Sequence, residues 1–206
     1  MCKWYTSIGR KTGHGDGKFY VRIGTEEKVL IGLEIYLWSS MLWCFTLEEN
    51  IYDRLQKLLR ITFPNDTTKL FDVEGYQYCF RRLCNRGLVV MAEGENEEVA
   101  KASLFRTAIV ETQTVTLCER FNMFWTSLEN GHGIRFSLGA FHKPSISDQE
   151  QGLLRCLQRC GEIEQFVEKM QDKDKEIFLR CVAALYKKKL LLIQKVGKEV
   201  YEKYKT

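Results

Sequence analysis

Residues 72–92 concentrate side chains whose chemistry suits a polyanionic partner. If this stretch begins as a helix, one outer face carries Tyr78, Arg81, Arg82 and Asn85, with Arg86 beside them. Arginine can bond guanine through two parallel hydrogen bonds, and asparagine can bond adenine in the same way. The pattern therefore predicts contact with double-stranded DNA. The alternative is that Arg81 and Arg82 only solvate the outer face of a structural helix.

A second basic set follows about a hundred residues later. Arg180 and Lys187 would lie on the outer face of another helix, with Ala183 and Ala184 between them. That small face would let the helix approach another surface closely. The lysines suited to phosphate contact are Lys187, Lys188, Lys189 and Lys195. Such contacts add salt-dependent affinity but little sequence information.

The elements that must position the first set follow from local patterns. Tyr76, Cys79, Phe80 and Leu83 recur at i, i+3, i+4 and i+7, which predicts the buried stripe of a helix. Asp72 can cap the helix start, and Gly87 can end the helix in the left-handed conformation. Residues 88–91 are typical of a buried strand. The predicted order is helix, glycine turn and strand.

A polar turn over residues 93–98 and a return strand over 99–101 would complete a β-hairpin wing. The segment then resembles the second half of a winged helix-turn-helix domain. The resemblance implies that the helix enters the major groove of DNA. Its wing departs from the family pattern, because Glu93, Glu95, Glu97 and Glu98 would repel phosphate. This departure leaves open a role for the first unit in dimerisation or in binding a protein partner.

The pattern recurs in the second half of the chain. Phe178, Cys181, Val182 and Leu185 repeat the apolar stripe, Lys188 corresponds to Arg86, and Leu190 corresponds to Leu88. The recurrence predicts a mainly α fold with small β-hairpin wings (α+β), built from two winged-helix units in tandem. The predicted boundaries are a first unit over residues 1–103, a helical connector over 104–130, and a second unit over 131–206 with a C-terminal helix. A strand or break near residues 112–116 is an alternative within the connector.

Other stretches predict the remaining elements of the first unit. Phe19, Val21 and Ile23 alternate with polar residues, which is typical of a strand. The apolar run over residues 29–45 predicts a buried helix, too short and too polar to span a membrane. We expect its excess apolar surface to pack against another unit or in a homodimer. Thr46 and Glu49 have the spacing of a capping box, ahead of a helix buried through Ile51 and Leu55.

The second unit carries similar signals. Ser147 and Glu150 predict a capping box at the start of its first helix. A short helix should follow Gly161, and residues 171–175 should form the turn into the second recognition-like helix. The Gly-His-Gly segments at 13–15 and 131–133 predict turns, although two histidines leave a metal or phosphate site as an alternative.

Composition and motifs restrict the class of protein. A net charge of +4 is compatible with a polyanion partner but does not require one. Eight cysteines without a secretory signal predict free thiols and a cytoplasmic location, with Cys84 or Cys160 as a redox-sensing alternative. We expect no catalytic residue, metal or cofactor, because the chain lacks glycine-rich phosphate loops, zinc-ligand spacing and nucleophile elbows.

These features predict a homodimeric, double-stranded-DNA-binding regulator of transcription. The alternative is a winged-helix adaptor that binds another protein and touches nucleic acid weakly or not at all. Adaptor subunits of chromosome condensation complexes are similar to this chain in architecture.

Overall fold

A computed structural model describes residues 1–63, 72–113 and 145–197. Helices and small antiparallel sheets follow one another through these residues, a mixed composition compatible with the α+β class. Among the helices in the described ranges, none combines the length and apolar character needed to cross a membrane.

The chain begins with strands. These are β1 (Cys2–Ser7), β2 (Arg10–Gly15), β3 (Lys18–Ile23) and β4 (Glu26–Ile31). The last three form an antiparallel meander in the order β2-β3-β4. The predicted strand is confirmed, with Val21 fully buried and Phe19 and Ile23 half-buried, but Tyr20 is half-buried as well and interrupts the predicted alternation.

The first helix is shorter than its sequence predicted. Helix α1 spans Leu33–Met41, and the residues before Gly32 form β4. The prediction of one helix over residues 29–45 is therefore wrong at its start, because Val29 and Ile31 continue a strand paired with β3. The Trp38 indole nitrogen donates to the Ile8 carbonyl at 3.0 Å. The apolar residues of α1 are thus buried within the chain itself.

The second helix also begins later than predicted. Thr46 lies in the short strand β5 (Thr46–Leu47), and a 3₁₀ turn over Glu48–Asn50 leads into α2 (Ile51–Thr62). The capping-box prediction at Thr46 and Glu49 is wrong, because α2 has no side-chain cap. Ile51, Leu55 and Leu59 are buried, so the inner face of the helix was predicted correctly.

The central helix, glycine turn and strand are confirmed. Helix α3 spans Val73–Asn85, and its Asp72 cap accepts a hydrogen bond from the Gly75 amide at 2.7 Å. Gly87 adopts a φ of 66°, and its amide donates to the Cys84 carbonyl at 2.8 Å. The chain then enters β6 (Val89–Gly94), which pairs antiparallel with β1 in the sheet β5-β1-β6.

The first predicted wing is wrong. Residues expected to form a return strand belong to helix α4 (Glu97–Arg106), whose Asn96 cap accepts from the Val99 amide at 3.0 Å. The acidic residues taken for a polar turn occupy the first helical turn, where carboxylates are favourable near the helix N-terminus. A Cβ on Gly94 would lie 2.6 Å from the Ala100 nitrogen, so glycine permits α4 to fold back closely on β6.

The predicted connector contains more than helix. Residues 104–106 complete α4, and β7 (Ile109–Thr112) pairs antiparallel with β8 (Leu191–Lys195). The prediction of a helix is therefore wrong over β7. The alternative of a strand or break near residues 112–116 agrees better with this strand. Residues 114–130 of the predicted connector and the Gly-His-Gly segment at 131–133 lie outside the described residues. So does most of the predicted C-terminal helix, beyond residue 197.

The described residues of the second half place three helices ahead of its strand β8. Helix α5 (Asp148–Arg159) has the predicted capping box, with Ser147 accepting from the Glu150 amide at 3.3 Å. Helices α6 (Ile163–Val167) and α7 (Asp172–Lys187) follow. Helix α7 starts inside the segment predicted as a turn, since Gln171 already takes the N-cap position.

The ends of α3 and α7 share one backbone geometry. Lys189 has a φ of 61°, as Gly87 does at 66°, and its amide donates to the Tyr186 carbonyl at 2.9 Å. Each helix therefore passes through one left-handed residue into a strand. The strands differ in their partners, because β6 pairs with β1 whereas β8 pairs with β7.

The described residues form two apolar clusters. One joins α1, α2 and α3 to the inner face of β3 and β4. The other combines Ile8, Phe45 and Phe105 with Leu157, Tyr186 and further residues of the second half. This second cluster draws on both predicted units, and the predicted boundary at residue 103 falls within α4.

Candidate nucleic-acid interface

The outer face of α3 presents part of the predicted contact set. The Tyr78 side chain is 66% exposed, and Arg81 and Asn85 are also exposed. Within the described ranges, Arg81 and Asn85 form no ion pair or side-chain hydrogen bond. These three side chains are therefore available to an external partner.

Two predicted contacts instead hold the protein together. The Arg82 Nε lies 3.1 Å from Glu34 Oε1, and Arg86 Nη1 lies 3.2 Å from each Glu34 oxygen. Glu34 is only 1% exposed, so its charge depends on these two guanidinium groups. Arg86 Nη2 also donates to the Val29 carbonyl at 2.6 Å. Arg82 and Arg86 thus join α3 to α1 and β4.

Residues from both halves of the chain meet at the C-terminal end of α3. Asn85 and the C-cap residue Arg86 line a cleft of about 510 Å³ with Glu26 and Lys28 of β4 and Lys195 of β8. We call this the basic cleft. Lys28 Nζ donates to the Arg86 carbonyl at 2.5 Å and pairs with Glu26 at 3.3 Å. Lys195 is exposed and has no ion-pair partner among the residues described.

The sequence did not single out Lys28 as a contact residue. It stands beside Glu26 and Glu27, in a segment that was predicted to begin a helix. In β4, the side chains of Lys28 and Val29 point to opposite faces of the sheet. The sequence shows no polar and apolar alternation here, because Val29, Leu30 and Ile31 form one apolar run that continues toward α1.

Two residues of the second basic set lie in a different groove. Arg180 and Lys187 line a space of about 250 Å³ between α4 and α7, together with Glu98 and the small residues Ala183 and Ala184. The close approach predicted for this alanine face therefore takes place against α4 of the same chain. Arg180 also pairs with Glu176 at 2.7 Å, so carboxylates offset its charge.

The remaining lysines have separate environments. Lys188 Nζ contacts the Glu150 oxygens at 2.7 and 2.8 Å and donates to the Ser145 carbonyl at 2.8 Å. The hydrogen bond from Lys188 holds the pKa of Glu150 below its usual value. Lys189 lies over the Trp43 ring at 5.6 Å from the ring centroid. The structure therefore gathers Asn85, Arg86 and Lys195 but separates them from the other second-half residues.

Within the described ranges, no group of three or more histidine, cysteine or acidic side chains is arranged to hold a metal ion. Comparison of the chain with protein-family models, curated proteins and solved structures finds no match. The proposals below therefore rest on geometry and chemistry.

Proposed function

We propose that this protein binds double-stranded DNA and regulates transcription, using α3 and the basic cleft. One observation carries the proposal: Asn85 and Lys195, distant in sequence, line the same cleft beside Lys28. Arg81 and Asn85 would contact base edges, whereas Lys195, which has no ion-pair partner among the described residues, would neutralise a phosphate. Arg82 and Arg86 support the helix and contribute positive potential. A cytoplasmic location is part of this proposal.

The test is a fluorescence-anisotropy titration with mixed genomic duplexes at low and physiological salt. We expect saturable binding that weakens steeply with salt, because released counterions drive the association. The Lys195→Ala variant should lower the slope of log affinity against log salt by about one. The Asn85→Ala variant should reduce discrimination among selected sequences.

Arg155→Ala is the matched control, because this exposed arginine lies on α5, outside the basic cleft. Its salt slope should equal that of the wild type. An absence of binding at low salt would overturn the DNA proposal. An equal decrease of the salt slope in the Lys195 and Arg155 variants would show that the basic cleft is not the DNA-binding surface.

A protein-binding adaptor is the second candidate, and β4 supplies the observation that favours it. This strand lies at the edge of its sheet and exposes Val29 by 37% and Ile31 by 46%. The Val29 carbonyl and the Ile31 amide already bond Arg86 and Glu34, so a partner would pack on the two exposed apolar side chains. Peptides selected from a display library for binding to the wild-type protein should then lose affinity for the Val29→Lys variant. They should keep their affinity for the Val99→Lys variant, whose substitution lies on α4. Equal affinity for both variants would reject the β4 surface.

We also propose a homodimer, since winged-helix regulators that read two half-sites do so through twofold symmetry. The surface of α1 first suggested for dimerisation is buried within the chain, so another surface must serve. Light scattering at micromolar concentration should give twice the chain mass of 24.2 kDa. A monomer mass, with DNA present or absent, would reject this part of the proposal.

A further inference from the structure

A second groove adjoins α3 and differs from the basic cleft in its walls. It lies between α3, β1 and the 3₁₀ turn at Glu48, and its volume is about 580 Å³. We call it the aromatic groove. Tyr5, Tyr76 and Phe80 provide its rings, and Glu48, Arg81 and Asn85 provide its charged and amide groups. Its volume falls within the range of small-molecule sites.

The rings of the aromatic groove are fixed by their mutual packing. Tyr5 and Phe80 meet edge to face with centroids 5.1 Å apart, and Tyr76 stacks on Phe80 at 5.9 Å. Tyr52 of α2 contacts Tyr76 at 5.2 Å from outside the groove. Because Tyr5 is only 5% exposed, it forms a rigid floor and not a mobile surface ring. The groove thus offers preformed apolar walls.

Two opposite charges at the groove have no ion-pair partner among the described residues, although the Glu48 carboxylate is hydrogen-bonded to Tyr5. Glu48 and Arg81 form no ion pair with any residue in the described part of the chain. Burial, reinforced by the Glu48 charge, raises the pKa of both Tyr76 and Cys84 to about 12. These wall groups therefore stay neutral near pH 7, and the thiolate that redox sensing at Cys84 needs is disfavoured. Glu48 and Arg81 supply the formal charges of the lining.

We propose that the aromatic groove binds a small zwitterionic ligand of the amino acid or short-peptide class. Glu48 would receive the ammonium group, since a carboxylate beside aromatic rings stabilises an organic cation. Arg81 would hold the carboxylate of the ligand through paired hydrogen bonds, with Asn85 beside it. The apolar body of the ligand would pack on Tyr76 and Phe80. This site does not depend on DNA binding, although a bound ligand would compete with DNA for Arg81 and Asn85.

Calorimetric titration of the full chain tests the site without DNA. The probes are phenylalanine and the dipeptide phenylalanyl-phenylalanine, each compared with its N-acetyl and C-terminal amide derivatives. We expect saturable binding of at least one zwitterion and roughly tenfold weaker binding of each derivative, because each loses one charge-assisted contact. No saturable binding of either zwitterion, or equal binding of the derivatives, would overturn the proposal.

Substitutions then locate the contacts. The Glu48→Gln variant should weaken binding of the zwitterion roughly tenfold yet leave the affinity of its N-acetyl derivative unchanged. The Arg81→Gln variant should weaken binding of the zwitterion roughly tenfold yet leave the affinity of its C-terminal amide derivative unchanged. Glu49→Gln and Arg155→Gln are the matched controls, since both residues are exposed and lie outside the groove. An equal loss of affinity for the zwitterion in the Glu48 and Glu49 variants, with unchanged thermal melting, would show that Glu48 does not contact the ligand.

Discussion

At the residue scale, Glu34 explains why two arginines of α3 are not free contact residues. A buried carboxylate is costly unless paired, and Arg82 and Arg86 approach it within 3.2 Å. Their side chains are still 42% and 25% exposed, so solvent screens part of the interaction. These two ion pairs should therefore stabilise the fold less than a fully buried ion pair would. These arginines should nevertheless affect stability more than Arg81 does.

The Arg86→Ala variant should lower the free energy of unfolding by about 1–3 kcal/mol, because Glu34 and the Val29 carbonyl each lose a partner. Urea unfolding followed by circular dichroism measures the change. Arg81→Ala is the control on the same helix and should change stability by less than about 0.5 kcal/mol. Equal effects of the two substitutions would contradict a supporting role for Arg86.

At the element scale, the start of α5 depends on two interactions of Glu150. Its carboxylate accepts from the Ser147 amide at 2.8 Å, completing the capping box, and from Lys188, the C-cap residue of α7. The Lys188 hydrogen bond is the main cause of the lowered pKa of Glu150. A lowered pKa in the folded state stabilises the fold above the ordinary value of 4.5, and this stabilisation is lost as pH falls through the folded value.

The Glu150→Gln variant should consequently melt below the wild type at pH 6, and the difference should shrink as pH falls toward 3. Thermal melting across this pH series measures the effect. Glu168→Gln is the control, since Glu168 is exposed and its side chain has no partner in the described ranges. A difference between Glu150→Gln and wild type that stays constant from pH 6 to 3 would contradict the ion pair.

At the scale of the whole molecule, a buried network joins the first and last parts of the chain. The Trp43 amide donates to the Tyr186 hydroxyl at 3.1 Å, and that hydroxyl lies 2.8 Å from Thr6 Oγ1. Thr6 donates in turn to the Met41 carbonyl at 3.3 Å. The Gly9 amide adds a backbone bond to the Ile193 carbonyl at 2.8 Å. These bonds, with the shared apolar cluster, couple the two predicted units.

The Tyr186→Phe variant should reduce the free energy of unfolding by about 1–3 kcal/mol, because the buried Trp43 amide and Thr6 hydroxyl lose their shared partner. Chemical denaturation monitored by tryptophan fluorescence and by circular dichroism should still give one coincident transition. Tyr78→Phe, on an exposed ring, is the matched control and should leave stability unchanged. Separate transitions in the two signals would show that the units unfold independently.

The sequence by itself determined the elements whose causes are local. Asp72, the α3 stripe, Gly87 and the strand after it were predictable because capping, helical periodicity and left-handed turns depend on a few neighbouring residues. The Ser147 capping box was predictable for the same reason. The exposed side chains of α3 followed directly from its periodicity.

Tertiary structure decided the outcomes that depend on distant partners. Residues 97–106 became α4 because the Asn96 cap and burial of Ala100 and Leu104 in the second apolar cluster outweighed the hairpin pattern. Glu34 forms ion pairs with Arg82 and Arg86, and the pairing of β8 with β7 accompanied the placement of Lys195 beside Asn85. Sequence periodicity describes one element at a time, whereas ion pairs, strand partners and clefts require the relative positions of several elements.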